Sequence, residues 1–117
     1  MRTGIPVLTD NPREVGADRI MNALAAATYH PGASVVVDFA TATTFDVVTS
    51  AGQYVGGAIA PGVEISQRAL SRYGSQLRNV ELVRPRSVIA KNTVEALQSG
   101  MLHGFASLVD GVVDRMT

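Results

Sequence analysis

The chain has 117 residues, with 10 Lys plus Arg against 10 Asp plus Glu, so its formal net charge is zero. The length fits one domain or part of one, and the balanced charge gives no basic excess for nucleic acid or a membrane surface. The absence of Cys excludes a disulfide framework and a thiolate metal site. Because no apolar run has the length of a signal peptide or a bilayer span, we expect a cytoplasmic protein.

The first third of the chain predicts a short strand followed by a helix. Residues 7–8 are apolar and follow a proline, which favours extended backbone. Asn11 before Pro12 is a typical helix start, and a helical pattern continues to about residue 27. Gly16 interrupts that pattern at a cost of about 1 kcal/mol relative to Ala. It therefore marks a break between two short helices or permits a close approach.

The middle of the chain predicts an antiparallel meander of three strands. Three valines at 35–37 lead into Asp38 and a Thr-rich turn, residues 43–48 return as a second strand, and 53–59 form a third. Such a turn can bring together a carboxylate, backbone N–H groups and hydroxyls, which bind a phosphate and its cation. The alternative is an ordinary hairpin, which the pattern alone favours.

The remaining residues predict two helices separated by an edge strand. Pro61-Gly62 breaks the chain, and helices are predicted at 63–77 and from Asn92 or Thr93 to about 115, with a short edge strand at 80–83. Glycines on the last helix suggest that another helix packs very close, within the fold or across a dimer; they are Gly100, Gly104 and Gly111. So small a sheet suggests a piece of a two-domain protein.

Four motifs follow one another along the chain. They are Asp10-Asn11-Pro12 with Gly16-Ala17-Asp18-Arg19; Val37-Asp38-Phe39-Ala40-Thr41-Ala42-Thr43-Thr44; Gly56-Gly57-Ala58-Ile59-Ala60-Pro61-Gly62; and Lys91-Asn92-Thr93 with Ser99-Gly100. In order and spacing they resemble the type III pantothenate kinases. The resemblance implies an α/β (α+β) fold from the superfamily of actin, heat-shock chaperones and sugar kinases. It implies a partial actin-like ATPase (ribonuclease H-like) domain, with an antiparallel three-strand meander and flanking helices.

The same resemblance implies domain boundaries and an activity. Residues 1–32 would end an N-terminal actin-like domain, and 33–117 would form part of a second. The implied activity is ATP-dependent phosphorylation of pantothenate to 4′-phosphopantothenate, the first step of coenzyme A biosynthesis. Such a kinase is a homodimer that uses ATP, with magnesium, and a monovalent cation, potassium or ammonium. No nucleic-acid or membrane partner is expected.

The resemblance assigns the acid–base and substrate roles to one segment. Asp18 matches the family's proton acceptor, and Gly16, Ala17, Asp18 and Arg19 together match its substrate-binding segment. A carboxylate within reach of the substrate hydroxyl can take its proton as that oxygen attacks the γ-phosphate. From the residues alone, Asp18 is more simply a solvated helix acid.

The resemblance also assigns three single residues. Asp38 matches the monovalent-cation ligand, Thr41 an ATP-binding residue, and Thr93 a pantothenate-binding residue at the start of the last helix. The simpler alternatives are a turn-capping Asp, a turn Thr bonded to its own backbone and a plain N-cap.

Two departures from the family pattern bear on activity. The family has Gly where Ala40 stands, and Gly there lets the backbone approach a phosphate. The family's Asp-x-Gly-Asn-Thr phosphate loop and its C-terminal glycine-rich adenosine segment do not occur in this sequence. We therefore expect impaired activity from these residues alone. The alternative function is a non-catalytic interaction module, since the family is similar to transcriptional accessory factors of the Bvg type.

Overall fold

The computed structural model describes residues 4–74 and 80–117. After a 3₁₀ helix at Pro12–Glu14, the elements are α1 (Ala17–Tyr29), β1 (Ser34–Phe39), β2 (Ala42–Val48), β3 (Tyr54–Pro61), α2 (Val63–Tyr73) and α3 (Thr93–Met116). The chain divides into two compact units, Met1–Ala60 and Pro61–Thr117. The expected assignment of 1–32 to the end of an N-terminal actin-like domain, and of 33–117 to part of a second, stays a prediction.

Gly16 separates the 3₁₀ helix from α1. Its backbone is extended, with φ −61° and ψ 149°, and its carbonyl accepts hydrogen bonds from the amides of Arg19 and Ile20 at 3.1 and 3.2 Å. Gly16 is therefore the N-cap of α1, which confirms the predicted break between two helices. The helix continues to Tyr29, two residues past the predicted end.

The three strands form an antiparallel sheet in the order β1-β2-β3, which confirms the predicted meander. Val36 pairs with Asp46, and Asp38 pairs with Thr44. The strand predicted at 7–8 is present only as an isolated parallel bridge between Val7 and Tyr54.

The core of the first unit lies between α1 and one face of the sheet. Because strand side chains alternate between faces, Asp38 and Asp46 share a face with Val36 and Val48. The buried core residues are Ile5, Ala23, Val48 and Tyr54, with Val7, Val15, Ile20, Leu24 and Ala27 packed against them. The face that receives α1 thus carries two carboxylates among apolar side chains.

Gly57 allows β3 to approach β2 closely, because a Cβ at this position would overlap the carbonyl oxygen of Phe45. We expect Gly57→Ala to lower the free energy of unfolding by about 1–3 kcal/mol, since backbone atoms must move. The measurement is the urea midpoint. Gly100→Ala is the control, because nothing lies within 4 Å of its added methyl group among the described residues, and it should be neutral or stabilising. Equal midpoints for the two variants would contradict the prediction.

In the second unit, α2 begins after Gly62 and ends at Tyr73, followed by Gly74 as C-cap. The helix was predicted to reach residue 77, and its last predicted positions, 75–77, lie outside the described residues. The C-terminal helix α3, with Asn92 as N-cap, matches its predicted span closely.

The edge strand predicted at 80–83 is wrong, because these residues form no strand. The side-chain amides of Gln67 and Gln98 donate to the carbonyls of Val80 and Glu81, each at 3.0 Å. Helix side chains therefore satisfy backbone groups that a strand would offer to a neighbouring strand.

The glycines of α3 do not mark a close helix contact among the described residues. Nothing there lies within 4 Å of a Cβ built on Gly100 or Gly104. The alternative, a close approach across a dimer, stays a prediction.

Candidate functional site

The first turn of α1 carries the predicted acid–base and substrate segment. Gly16 is the N-cap, and Ala17 and Asp18 are the first two helical residues, both exposed. An acid in the first turn interacts favourably with the helix dipole. The next residue, Arg19, turns towards the sheet and is only 21% exposed. The segment thus presents a carboxylate to solvent beside a guanidinium that is tied to the core.

Arg19 is bound to a buried carboxylate on β2. Its Nε and Nη2 lie 2.8 and 2.7 Å from Oδ1 of Asp46. The hydroxyl of Tyr54 donates to the same oxygen at 2.5 Å. Asp46 and Tyr54 are both 0% exposed. The other oxygen, Oδ2 of Asp46, is buried and has no hydrogen-bond partner among the residues that the structure describes.

The ionisation of this cluster follows from its surroundings. Burial, the hydrogen bond to Asp46 and the charge of Asp46 together raise the pKa of Tyr54 to about 12, against a smaller lowering by the charge of Arg19. Burial lowers the pKa of Arg19, but the hydrogen bond and charge of Asp46 outweigh burial, so that the pKa is raised overall. Near neutral pH, Tyr54 therefore remains a donor and Arg19 remains a cation.

Asp38 has a polar partner on the same helix. Asn22 follows Arg19 by three residues and so lies on the same face of α1. Its Nδ2 donates to Oδ2 of Asp38 at 3.0 Å. Asp38 is half-buried near the end of β1. Helix α1 is thus joined to β1 through Asn22 and to β2 through Arg19, both within about one helical turn of Asp18.

The turn between β1 and β2 consists of Ala40 and Thr41, which are both exposed. The amide of Ala40 donates to the carbonyl of Ala42 at 3.1 Å. Because the turn directly follows β1, Thr41 and Asp38 lie at the same end of the hairpin. The hydroxyl of Thr41 is placed at the surface of this end.

Thr93 lies in the second unit as the exposed first residue of α3. The cap is Asn92, whose Oδ1 accepts from the amide of Glu95 at 2.8 Å and whose Nδ2 donates to Oε1 of Glu95 at 3.0 Å. This reciprocal arrangement resembles a capping box. The simpler alternative of Thr93 as the cap is therefore wrong.

Arg86 ties the preceding loop to the same carboxylate. Its Nη2 lies 2.6 Å from Oε1 of Glu95, and its backbone amide donates to Oε2 at 3.0 Å. A groove of about 220 Å³ lies alongside, lined by Arg86, Ser87, Ile89, Ala90, Lys91 and Glu95. The loop that leads to Thr93 is thus fixed against the first turn of α3.

The contacts of Glu95 predict a pH dependence. Side-chain and backbone hydrogen bonds from Arg86, then the one from Asn92, lower the pKa of Glu95 from 4.5 to about 2. A carboxylate with a depressed folded-state pKa contributes stability above its unfolded pKa and loses that contribution as pH falls through the folded value. We therefore expect stability of the second unit to fall between pH 4.5 and about 2.

Carbon-detected NMR titration of the Glu95 carboxyl measures this directly. In Arg86→Gln the pKa of Glu95 should rise towards its ordinary value. Arg68→Gln is the control, since Arg68 pairs with Glu64 instead. A Glu95 titration that is the same in the parent chain and in Arg86→Gln would refute the prediction.

A larger groove, of about 650 Å³, lies between α1 and β1 in the first unit. Its lining includes Asn22, Tyr29, His30, Ser34 and residues 35–37. None of the residues assigned by the sequence resemblance lines it. Although this groove is the larger of the two described, its lining gives no link to the predicted chemistry.

The sequence profile described as type III pantothenate kinase matches residues 1–115. The chain belongs to the type III pantothenate kinase family. Curated type III pantothenate kinases from Nocardioides sp., Thermobifida fusca and Streptomyces coelicolor are 68%, 65% and 63% identical to it. Each alignment covers 99% of this chain but only 46%, 45% and 44% of the relative. The chain thus spans less than half the length of these kinases.

A solved structure agrees with the fold. A crystal structure described as a Baf family transcriptional activator from Campylobacter jejuni is similar, with 28% identity and a TM-score of 0.62. The similarity covers 90% of this chain and 49% of that one. This agreement supports the predicted fold class as part of a mixed α/β protein.

The structure groups the site residues predicted from the family resemblance within two units. Gly16, Ala17, Asp18, Arg19, Asp38 and Thr41 lie in the first, and Thr93 lies in the second. Their roles stay predictions. Sequence reasoning missed Asn22, Asp46 and Tyr54. Asp46 could have been noticed, because strand alternation places this charge on the same face as the apolar Val48.

Two features are absent from the residues that the structure describes. Residues 4–74 and 80–117 contain no group of three His, Asp or Glu side chains that could hold a metal ion. In the same part of the chain, no helix has the length and apolar character needed to cross a membrane.

Proposed function

We propose that the chain is the central part of a pantothenate kinase. The reaction is transfer of the γ-phosphoryl group of ATP to pantothenate, giving 4′-phosphopantothenate for coenzyme A synthesis, in a cytoplasmic homodimer. Family membership supports this proposal. The observation that carries it is the first turn of α1, where an exposed carboxylate follows an N-cap glycine and precedes an anchored arginine.

Asp18 is the proposed general base. As the pantothenate hydroxyl oxygen bonds to the γ-phosphorus, its proton passes to the Asp18 carboxylate and the bond to the ADP oxygen breaks. A base placed in this way contributes about 10²–10⁴-fold to the rate. Its exposure keeps it accessible to the substrate.

Gly16, Ala17, Arg19 and Thr93 are proposed to bind pantothenate. Arg19 contributes directed N–H donors, and the N-terminal backbone of α1 and α3 favours negatively charged groups. Asn92 caps α3, so the hydroxyl of Thr93 is not used as the cap. Gly16, Ala17 and Arg19 would position the hydroxyl of pantothenate near Asp18, because they belong to the same stretch of α1.

Thr41 and Asp38 are proposed to act at the phosphate end. The exposed hydroxyl of Thr41 can donate to an ATP phosphate oxygen. Asp38 fits a monovalent cation, potassium or ammonium, because Asn22 occupies only its Oδ2 and the other oxygen is a hard donor. When bound, that cation supplies positive charge next to the phosphates, and magnesium would accompany the ATP.

A second candidate function is a non-catalytic interaction module. The similarity to the Campylobacter jejuni Baf family protein, with a TM-score of 0.62, favours it. In this case the fold would bind a regulator or a second copy of itself without using ATP. Unlike the kinase, such a module has no need for Asp18 beside an anchored Arg19.

Isothermal titration of pantothenate into the purified chain, with and without ATP and potassium, tests the proposal. Saturable binding that Thr93→Val weakens and Ser107→Ala leaves unchanged would support the kinase. Nucleotide at 100 times its dissociation constant should add about 2.7 kcal/mol of stability. A folded chain that binds neither ligand would favour the interaction module.

A further inference from the structure

Arg19 is held by a buried cluster that consists of Asp46 and Tyr54. Both residues lie outside the predicted substrate segment. We propose that Asp46 and Tyr54 are positioning residues, which fix the Arg19 guanidinium in the orientation that binds substrate. The identity of that substrate, pantothenate, rests on the proposed function. The orientation of Arg19 is a separate claim that can be measured without any ligand.

The geometry of the ion pair fixes the plane of the guanidinium. Nε and Nη2 of Arg19 form one edge of the planar group, and both lie within 2.8 Å of the same oxygen, Oδ1 of Asp46. A fork bound along one edge cannot rotate without losing both contacts. Among the described residues Nη1 has no partner, so the opposite side of the group keeps its donors for a ligand.

Tyr54 fixes the carboxylate in turn. Its hydroxyl donates to the oxygen that holds Arg19, so rotation of the Asp46 side chain would break this bond too. Tyr54 cannot follow such a rotation, because its ring is buried against Ile5, Ala23 and Val48. Its backbone amide donates to Pro6 and its carbonyl accepts from Leu8, at 2.9 and 2.8 Å. Packing of Tyr54 in the core therefore fixes the orientation of Arg19 through Asp46.

Charge explains why orientation matters at this position. The carboxylate of Asp46 offsets the positive charge of Arg19, and the cluster has no other cation among the described residues. What Arg19 then offers a ligand is a set of directed N–H donors, whose value depends on their angle. Since Asp18 precedes Arg19 in the same helical turn, the anchor also determines where that carboxylate lies.

The test compares Tyr54→Phe and Asp46→Asn with Tyr29→Phe in the 117-residue chain. Tyr29 is 76% exposed and serves as the matched control. The first readout is the exchange rate of the Arg19 Nε–H with water, measured by ¹⁵N NMR in folded protein. We expect exchange to accelerate about tenfold or more in both cluster variants, since Tyr54→Phe removes a hydrogen bond to Asp46 and Asp46→Asn removes the negative charge that holds Arg19. The control should match the parent chain.

The second readout is pantothenate affinity in the same samples. Tyr54→Phe should bind about tenfold more weakly at an unchanged fold, because the hydroxyl that it removes donates its hydrogen bond to Asp46 and the ring remains in the core. Should Asp46→Asn unfold, Tyr54→Phe carries the test alone. Arg19 Nε–H exchange that is unchanged in folded Tyr54→Phe overturns the positioning role.

The two proposals fail in different ways. A parent chain with a slowly exchanging Arg19 Nε–H but no pantothenate binding overturns the proposed function alone. Equal pantothenate affinity in the parent chain and Tyr54→Phe, with faster Arg19 exchange in the variant, overturns the link between orientation and recognition.

Discussion

Replacing Asp18 with Asn should reduce phosphoryl transfer about 10²–10⁴-fold, because the amide cannot accept the substrate proton. The assay needs a complete kinase, so residues 1–117 are grafted in place of the matching segment of the Nocardioides relative, which is 68% identical. Since the base acts in the transition state, kcat and kcat/KM should fall together. Asp18 is exposed, and the stability change should stay within about 0.5 kcal/mol.

The control for this prediction is Asp110→Asn, an equally conservative change at an exposed position of α3. It should leave kcat and stability unchanged. Near-normal turnover of Asp18→Asn would remove Asp18 from the role of base. A fall in kcat that is matched by a large loss of stability would instead show that Asp18 maintains the first turn of α1.

Local signals in the sequence were sufficient for most of the elements. A run of three valines predicted β1, Pro61-Gly62 predicted the break before α2, and the Asn92-Thr93 pair predicted the start of α3. These signals work because backbone preference and apolar period act over a few residues. Which residue caps α3 was harder to predict, because Asn92 and Thr93 are both good N-caps. The structure shows that Asn92 is the cap, since it accepts the hydrogen bond from the amide of Glu95.

Long-range contacts account for what the sequence did not predict. Residues 80–83 have a strand-like apolar pattern. The carbonyls of Val80 and Glu81, however, accept hydrogen bonds from glutamine side chains 13 and 17 residues away. The partner of Arg19 is 27 residues distant, on a different element. The family resemblance predicted a substrate-binding role for Arg19. It could not show that an acid in the middle of β2 fixes that cation.

Removing Arg19 should be far more destabilising than removing an exposed arginine. Arg19→Ala leaves the buried carboxylate of Asp46 without its cation, and breaking a buried pair in this way costs about 3–5 kcal/mol. Arg68→Ala is the control, since Arg68 and Glu64 are 70% and 79% exposed and form an (i, i+4) pair. That pair contributes about 0.3–0.5 kcal/mol. Equal effects of the two changes would contradict the prediction.

Because the chain divides into two compact units, a probe located in the first unit measures this effect most directly. Amide hydrogen exchange at Ala23 and Val48 reports opening of the first unit alone, and these two residues are both 0% exposed. The double change Arg19→Met with Asp46→Leu should recover much of the loss, since it removes the buried charge together with its partner. Pantothenate binding should not recover, because Met has no N–H donors. The double change would thereby separate two roles of Arg19. One is its contribution to stability as the partner of Asp46, and the other is its contribution to substrate recognition.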